Sequence, residues 1–280
     1  MNKGTLYLCA TPIGNLEDMT FRAVRILQEV AVIAAEDTRH TRKLLSHYNI
    51  HTPLISYHEH NKAVRGEELI ARLEAGQDVA VVSDAGLPGI SDPGADLVKL
   101  AVNAGIIVSP VPGPSAGLSA LVCSGLDSER FLFVGFLPKT AKKRRELLAA
   151  LVSVPYTLIF YESPHRIMSI LKEMMLVFGG ERRAVAGREL TKKFEEFIRG
   201  TIETLSSHFA QDTPRGEFVL LVEAATIHVI EPEPVATDDL AEAVRAMVEQ
   251  GVMKKDAIRL VALERGVPKR EVYQAVLQET

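Results

Sequence analysis

Two clusters of chemistry-bearing residues each follow a short apolar run. Glu36-Asp37-Thr38-Arg39-His40-Thr41-Arg42 comes directly after Val32 to Ala35, and Ser83 to Gly94 comes directly after Val79 to Val82. The first cluster sets two carboxylates beside arginines and an imidazole, a set suited to moving a proton and holding an anion or a sugar. The second carries Asp84 and Asp92 near its two ends, and Gly86, Gly89 and Gly94 between and after them. Glycines let a backbone approach a ligand closely or turn through positive φ, and Pro88 and Pro93 stiffen the loop. A third stretch, Pro112-Gly113-Pro114-Ser115-Ala116-Gly117, follows the apolar run Ile106 to Val111. Consecutive loops of this kind make the walls of one pocket.

These residues need a frame, and the flanking pattern supplies one. Leu6 to Ala10, Val32 to Ala35, Pro53 to Ser56, Val79 to Val82 and Ile106 to Val111 read as strands, each followed by a helical pattern. Alternating strands and helices predict a largely parallel α/β sheet, and such sheets bind ligands off the carboxyl ends of their strands. Phe21, Val24, Leu27 and Ala31 mark one helix face with Thr20 as its cap. Leu118, Leu121 and Val122 mark another. Asp37 or Thr38 also suits a helix cap. His58 and His60 lie two apart after the third strand, with no third ligand in view, so no metal is expected. A loop facing a substrate fits Tyr57 to Asn61 better.

Ser124 to Glu129 closes this half. Phe131 to Phe136, Thr157 to Tyr161, Arg183 to Ala186, Phe194 to Arg199 and Phe218 to Val222 read as strands of a second, mixed sheet, because short polar connections join the last of them. Within it, Lys139, Lys142, Lys143, Arg144 and Arg145 crowd a helix start with no acid among them. Positive charge is unfavourable beside a helix N-terminus, so contact with phosphate is a reading alongside simple solvation. Beyond a Pro-rich linker the pattern is all helix and resembles a helix-turn-helix. It carries Lys254, Lys255, Lys269 and Arg270 on a small bundle. The expected layout is an α/β domain over residues 1–125, a second over 126–228, a linker over 229–236 and a helical domain over 237–280.

Composition narrows the class. At 280 residues, 47% hydrophobic and 24% charged, the chain is an ordinary globular protein. A net charge of −4 means that any nucleic-acid contact must be a local basic patch. Cys9 and Cys123 both sit in apolar runs and read as buried free thiols, which fits a reducing cytoplasm. No apolar run is long enough to cross a bilayer, and the opening strand leaves no signal-peptide pattern.

Thr11-Pro12-Ile13-Gly14-Asn15, Glu36-Asp37-Thr38-Arg39, the Ser83 to Gly94 loop and Val111-Pro112-Gly113-Pro114-Ser115-Ala116 occur in this order and spacing. Together they resemble the tetrapyrrole methylase family, and more closely its ribosomal branch. The corrin and porphyrin branch carries a Gly-rich first loop and Gly-Asp-Pro in the third, where this chain has Thr-Pro-Ile-Gly-Asn and Ser-Asp-Pro. That departure argues against a tetrapyrrole substrate. The resemblance implies two α/β domains with a cofactor cleft between them, S-adenosylmethionine as methyl donor, and a homodimer. It implies 2′-O-ribose methylation of a cytidine in small-subunit ribosomal RNA. Carried over by position, Asp84, Ala85, Gly86, Ile90, Ser91, Asp92, Ser115 and Ala116 would line the cofactor, joined by Tyr161, Leu190 and Gly216. For the chemistry, Asp37 or His58 is expected as base, with Glu36 the adjoining carboxylate. Arg39 is expected as orienting cation, and Asn61 and Lys139 as phosphate or ribose contacts. A tetrapyrrole or protein methylase and a DNA-binding regulator are the alternatives.

Overall fold

Short β-branched runs become the strands of two five-stranded sheets in the computed structural model, which describes residues 2–211, 214–225 and 237–278. The first sheet is built from β1 (Thr5–Cys9), β2 (Val32–Ala35), β3 (Leu54–Ser56), β4 (Val79–Val82) and β5 (Ile107–Val111), ordered β3-β2-β4-β1-β5 and parallel throughout. Helices α1 (Phe21–Glu29), α2 (Thr38–His47), α3 (Lys62–Glu74) and α4 (Gly94–Asn103) connect its strands. β2 and β4 are buried along their whole length, as strands covered on both faces must be. One face packs with Ile26 and Leu27 of α1 and Leu45 of α2. The other packs with Leu69 and Leu73 of α3 and Leu97 of α4.

The chain then passes through α5 (Ala116–Ser124) into β6 (Phe131–Phe136), α6 (Ala141–Leu151), β7 (Thr157–Glu162), α7 (Ile167–Phe178), β8 (Arg183–Arg188), β9 (Glu196–Thr201), α8 (Ile202–Gln211) and β10 (Phe218–Val222). These strands form a sheet ordered β6-β7-β10-β8-β9, in which only β6 and β7 run parallel. The mixed sheet is as expected. One face packs on α6, α7 and α8 through Leu148, Ile170, Leu171 and Leu205. The other receives α5, whose Ala120 and Leu121 pack with Ile159, Val185 and Leu221. Although α5 follows β5 in the chain, it covers the second sheet, not the first. Both sheets belong to one compact unit.

The expected helix faces shift where small residues do the packing. In α5 it is Gly117, Ala120, Leu121 and Ser124 that are buried, while Leu118, Val122 and Cys123 face outward. Small side chains let the helix lie close on the sheet, which turns its bulkier apolar residues to the surface. Cys123 is therefore exposed, contrary to expectation, while Cys9 is buried. In α1 the buried residues are Ala23, Ile26 and Leu27, and Phe21 is 98% exposed. Thr20 caps this helix, accepting the Ala23 N–H at 3.1 Å.

A second unit contains α9 (Thr237–Glu249), α10 (Lys254–Glu264) and α11 (Lys269–Gln278), which share a core of Leu240, Val244, Ile258, Val261 and Val272. The expected linker, 229–236, lies outside the described residues. Among the described residues no helix is long and apolar enough to cross a membrane.

Candidate functional site

Three loops at the carboxyl ends of the first sheet are tied together by hydrogen bonds. Thr11, just after β1, exchanges backbone hydrogen bonds with Gly86 at 2.9 and 3.0 Å, and its hydroxyl donates to the Ser83 carbonyl at 3.1 Å. The Asp92 carboxylate folds the loop after β4 by accepting the Gly89 N–H at 2.8 and 2.9 Å and the Gly94 N–H at 2.7 Å. Gly86 and Gly89 sit at φ of 80° and 92°, and Ser91 at 63°. Such a conformation in a non-glycine residue marks a loop held by its surroundings. Asp84 accepts the Asp37 N–H at 3.1 Å and so joins the loop after β2 to the loop after β4.

The second sheet supplies the opposite wall. Tyr161 on β7 accepts the Gly117 N–H at 3.1 Å, and its ring packs edge-on against Phe133 and Phe136. After β8 the chain turns through Glu189 and Thr191, both at positive φ. Lys192 there is held by Glu189 at 2.9 Å and Glu217 at 2.8 Å. A Cβ on Gly14 would lie 2.4 Å from Lys192 Cγ and 2.9 Å from the Leu190 carbonyl, so the first loop fits this turn only as glycine.

Between these walls lies a cleft of about 480 Å³. Of the residues expected to line a cofactor, Asp84, Ala85, Gly86, Ile90, Ser91, Asp92, Ser115, Ala116, Tyr161 and Leu190 all line it. Gly216 does not; it stands beside Glu217 at φ 88° and leaves room for the Glu189 side chain. Sequence reasoning missed Ile13, Phe136, Glu162, Ser163, Lys192, Phe218 and Val219, which also line the cleft. Glu162 ends a strand, so the carboxyl-end rule applied to β7 would find it. Phe218 and Val219 open the antiparallel β10 and reach the cleft from a strand's amino end, where that rule does not look.

The charge on the lining is one-sided. Glu36, Asp84, Asp92, Glu162 and Glu217 face a single lysine, Lys192, which is already paired. Burial raises the proton affinity of Glu36, and the charges of Asp84 and Asp92 raise it further against the opposing influence of His58. Burial also raises the pKa of Asp92, despite the backbone hydrogen bonds it accepts. Five carboxylates and apolar walls suit a cationic ligand and disfavour a polyphosphate.

The residues expected to do chemistry separate. Asp37 lies outside the lining. It caps α2 by accepting the Arg39 N–H at 2.8 Å and pairs with the Arg39 guanidinium at 2.9 Å, which holds its carboxyl well below the usual range. Arg39 is exposed and engaged in that pair. Asn61 accepts the His58 N–H at 2.8 Å and sets its amide 3.3 Å from His58 Nε2. The rings of His58 and His60 are 6.0 Å apart, and among the described residues no group of three or more ligands stands together. Lys139, Lys142, Lys143 and Arg145 are exposed, as are Lys254, Lys255, Lys269 and Arg270. Arg144 is a correction. It is buried, ion-paired with Glu173, and donates to the Pro138 and Lys139 carbonyls at 3.3 and 3.2 Å. An arginine consumed in that way holds the start of α6 in place and is closed to RNA.

Comparison with known proteins agrees with this architecture. The family model for tetrapyrrole (corrin/porphyrin) methylases matches residues 5–206. A ribosomal RNA small subunit methyltransferase I from Halalkalibacterium halodurans is 51% identical, covering 99% of this chain and 96% of its own. Its namesake from Bacillus subtilis is 49% identical, covering 97% and 94%. Among solved structures, uroporphyrin-III-C-methyltransferase from Thermus thermophilus aligns with a TM-score of 0.57 at 21% identity, covering 79% of this chain and 94% of its own. Diphthine synthase aligns with a TM-score of 0.60 at 14% identity, covering 80% and 92%. With two α/β sheets enclosing a cleft, a family model matched over most of the chain and relatives near half identical throughout, this chain belongs to the tetrapyrrole methylase family.

Proposed function

We propose that this protein transfers the methyl group of S-adenosylmethionine to a ribose 2′-hydroxyl of a cytidine in small-subunit ribosomal RNA. The observation that carries the reading is the extent of likeness. The two solved structures use nearly their whole length to match about four fifths of this chain. The relatives named for ribosomal RNA match 97–99% of it, helical unit included.

The cleft fits the methyl donor. Its sulfonium and ammonium are cationic, and the lining is rich in carboxylates with apolar faces at Ile13, Ile90, Phe136 and Leu190. Asp84, Ala85, Gly86, Ile90, Ser91, Asp92, Ser115, Ala116, Tyr161 and Leu190 would hold it. When bound, the donor supplies an electrophilic methyl carbon. The chain then has to orient the hydroxyl, keep water out and accept a proton. Alignment alone contributes roughly 7–11 kcal/mol to such a step.

Lys142, Lys143 and Arg145 at the start of α6, and Lys254, Lys255, Lys269 and Arg270 on the helical unit, are the proposed RNA contacts. Lys139 belongs with the first set. The protein is proposed to act in the cytoplasm as a homodimer, with the outward Leu118 and Val122 of α5 as its contact.

Label transfer from S-adenosylmethionine to unmodified small subunits tests the reading. Label in RNA that resists alkaline cleavage at one cytidine is the expected result. Label in protein or a small molecule, with none in RNA, would overturn the substrate while leaving the family in place.

A further inference from the structure

Five carboxylates line the cleft, and four of them are occupied. Asp84 accepts the Asp37 N–H, and Asp92 accepts those of Gly89 and Gly94. Glu162 accepts the Ser163 N–H and lies 3.4 Å from Arg166, while Glu217 pairs with Lys192. Of these five lining carboxylates, Glu36 is the one with neither a hydrogen bond nor an ion pair. Its place follows from the sheet. Ala35 is in register with Ser56 of β3 and Val82 of β4. Glu36 therefore leaves β2 between the two loops that begin at Tyr57 and Ser83.

His58, in the first of these loops, presents a matching oddity. The Asn61 side-chain oxygen accepts the His58 N–H, so its other end is the amide NH₂, which faces the Ser56 carbonyl and hydroxyl oxygens, both at 3.2 Å, and His58 Nε2 at 3.3 Å. A ring nitrogen that accepts carries no proton, so the proton sits on Nδ1. That atom is buried and has no hydrogen-bond partner. A buried donor without an acceptor is costly. Tyr57, just before His58, donates its N–H to the Ala35 carbonyl at 2.8 Å, which sets the His58 loop beside Glu36.

We propose that Glu36 is the catalytic base, and that His58, fixed by Asn61 with its proton on Nδ1, is the positioning residue that holds the Glu36 carboxylate. The proposal rests on the ribose methylation proposed above. In the step, the 2′-O–H bond breaks as its proton passes to a Glu36 oxygen. The oxygen's electron pair forms the new O–CH₃ bond. The S–CH₃ bond breaks, its electron pair stays on sulfur, and neutral S-adenosylhomocysteine remains. Glu36 then returns the proton to water. Asp84 and Asp92 from the loop after β4 and His58 from the loop after β3 are the ionisable groups that face Glu36. The charges of the two aspartates favour its protonated form, and a hydrogen bond from His58 Nδ1–H would favour the ionised one. The rate is therefore full when Glu36 is ionised and falls as pH drops through a value above the ordinary glutamate range.

The test uses the full-length protein and unmodified small subunits in single-turnover methyl transfer. E36Q, checked to unfold at the same denaturant concentration as the wild type, is expected to lose roughly 10²–10⁴-fold in rate, with S-adenosylmethionine affinity by calorimetry within threefold. D84N keeps the oxygen that accepts the Asp37 N–H and is expected to move the acid limb to lower pH. In ¹⁵N-histidine spectra of the free protein, His58 is expected to be protonated at Nδ1, and N61L to lose that preference. E36Q at the wild-type rate would overturn the base assignment alone. A His58 protonated at Nε2 in the wild type would overturn the positioning role. Wild-type protein that labels no RNA would overturn the substrate reading, and this proposal with it.

Discussion

Asp37 and Glu36 are adjacent carboxylates with opposite circumstances. Asp37 is spent on the α2 N-terminus and on Arg39, and the pair keeps it ionised. A carboxyl whose folded pKa is depressed stabilises the fold above its unfolded pKa and loses that contribution as pH falls towards the folded one. D37A is therefore expected to lower the urea midpoint at pH 7 and to lose this deficit in strong acid, with turnover per folded molecule unchanged. A large fall in turnover with no change in midpoint would return Asp37 to the chemistry. Arg144 makes a second contrast. Removing one partner of a buried ion pair leaves the other uncompensated, so R144A is expected to cost about 3 kcal/mol or more by denaturant unfolding. K142A, on the exposed face of the same turn, should leave stability alone and reduce the salt slope of RNA binding by about 1. Equal slopes for K142A and wild type would remove Lys142 from the RNA contacts.

At the scale of elements, α5 shows how the two sheets are joined. Its first-turn N–H groups have no partner within the helix, and Ser115 makes no side-chain cap. Tyr161, from a strand of the other sheet, accepts the Gly117 N–H instead. Y161F removes that acceptor and is expected to cost about 1–3 kcal/mol and to weaken S-adenosylmethionine binding in calorimetry. An unchanged affinity would show that the ring face alone serves the cleft. Much of this architecture was legible beforehand. The β-branched runs at Val32 to Ala35 and Val79 to Val82 have one good reading, and the Gly/Pro loops after them mark a ligand site by position. The loop carrying Asp84 and Asp92 was marked that way, while its individual lining residues came from the family resemblance. Side-chain direction was not legible. Nothing in Lys142-Lys143-Arg144-Arg145 shows that its third member turns inward to Glu173, a residue 29 positions away. Nor does local pattern show that Gly117, Ala120 and Ser124 do the packing on α5 while Leu118 faces out, because the partner surface belongs to another sheet.

For the molecule as a whole, the α/β unit and the helical unit have separate cores. A chain ending at residue 225 is expected to keep S-adenosylmethionine affinity while binding ribosomal RNA more weakly and with a flatter salt dependence. An unchanged salt slope would assign Lys254, Lys255, Lys269 and Arg270 a structural role. In the intact protein, L118E/V122E is expected to halve the mass seen in sedimentation. A wild type that sediments as a monomer would remove α5 as a contact.

Strand order also sets a schedule for biosynthesis. β1, the first strand made, lies between β4 and β5, so the first sheet waits for residue 111. β10 lies between β7 and β8, so the second waits for residue 222. Contacts so distant along the chain form slowly. A nascent chain thus carries Glu36, Asp84 and Asp92 long before Phe218 and Val219 arrive to face them. The cleft comes into being in one late insertion, and a polypeptide released before it carries only one of its two walls.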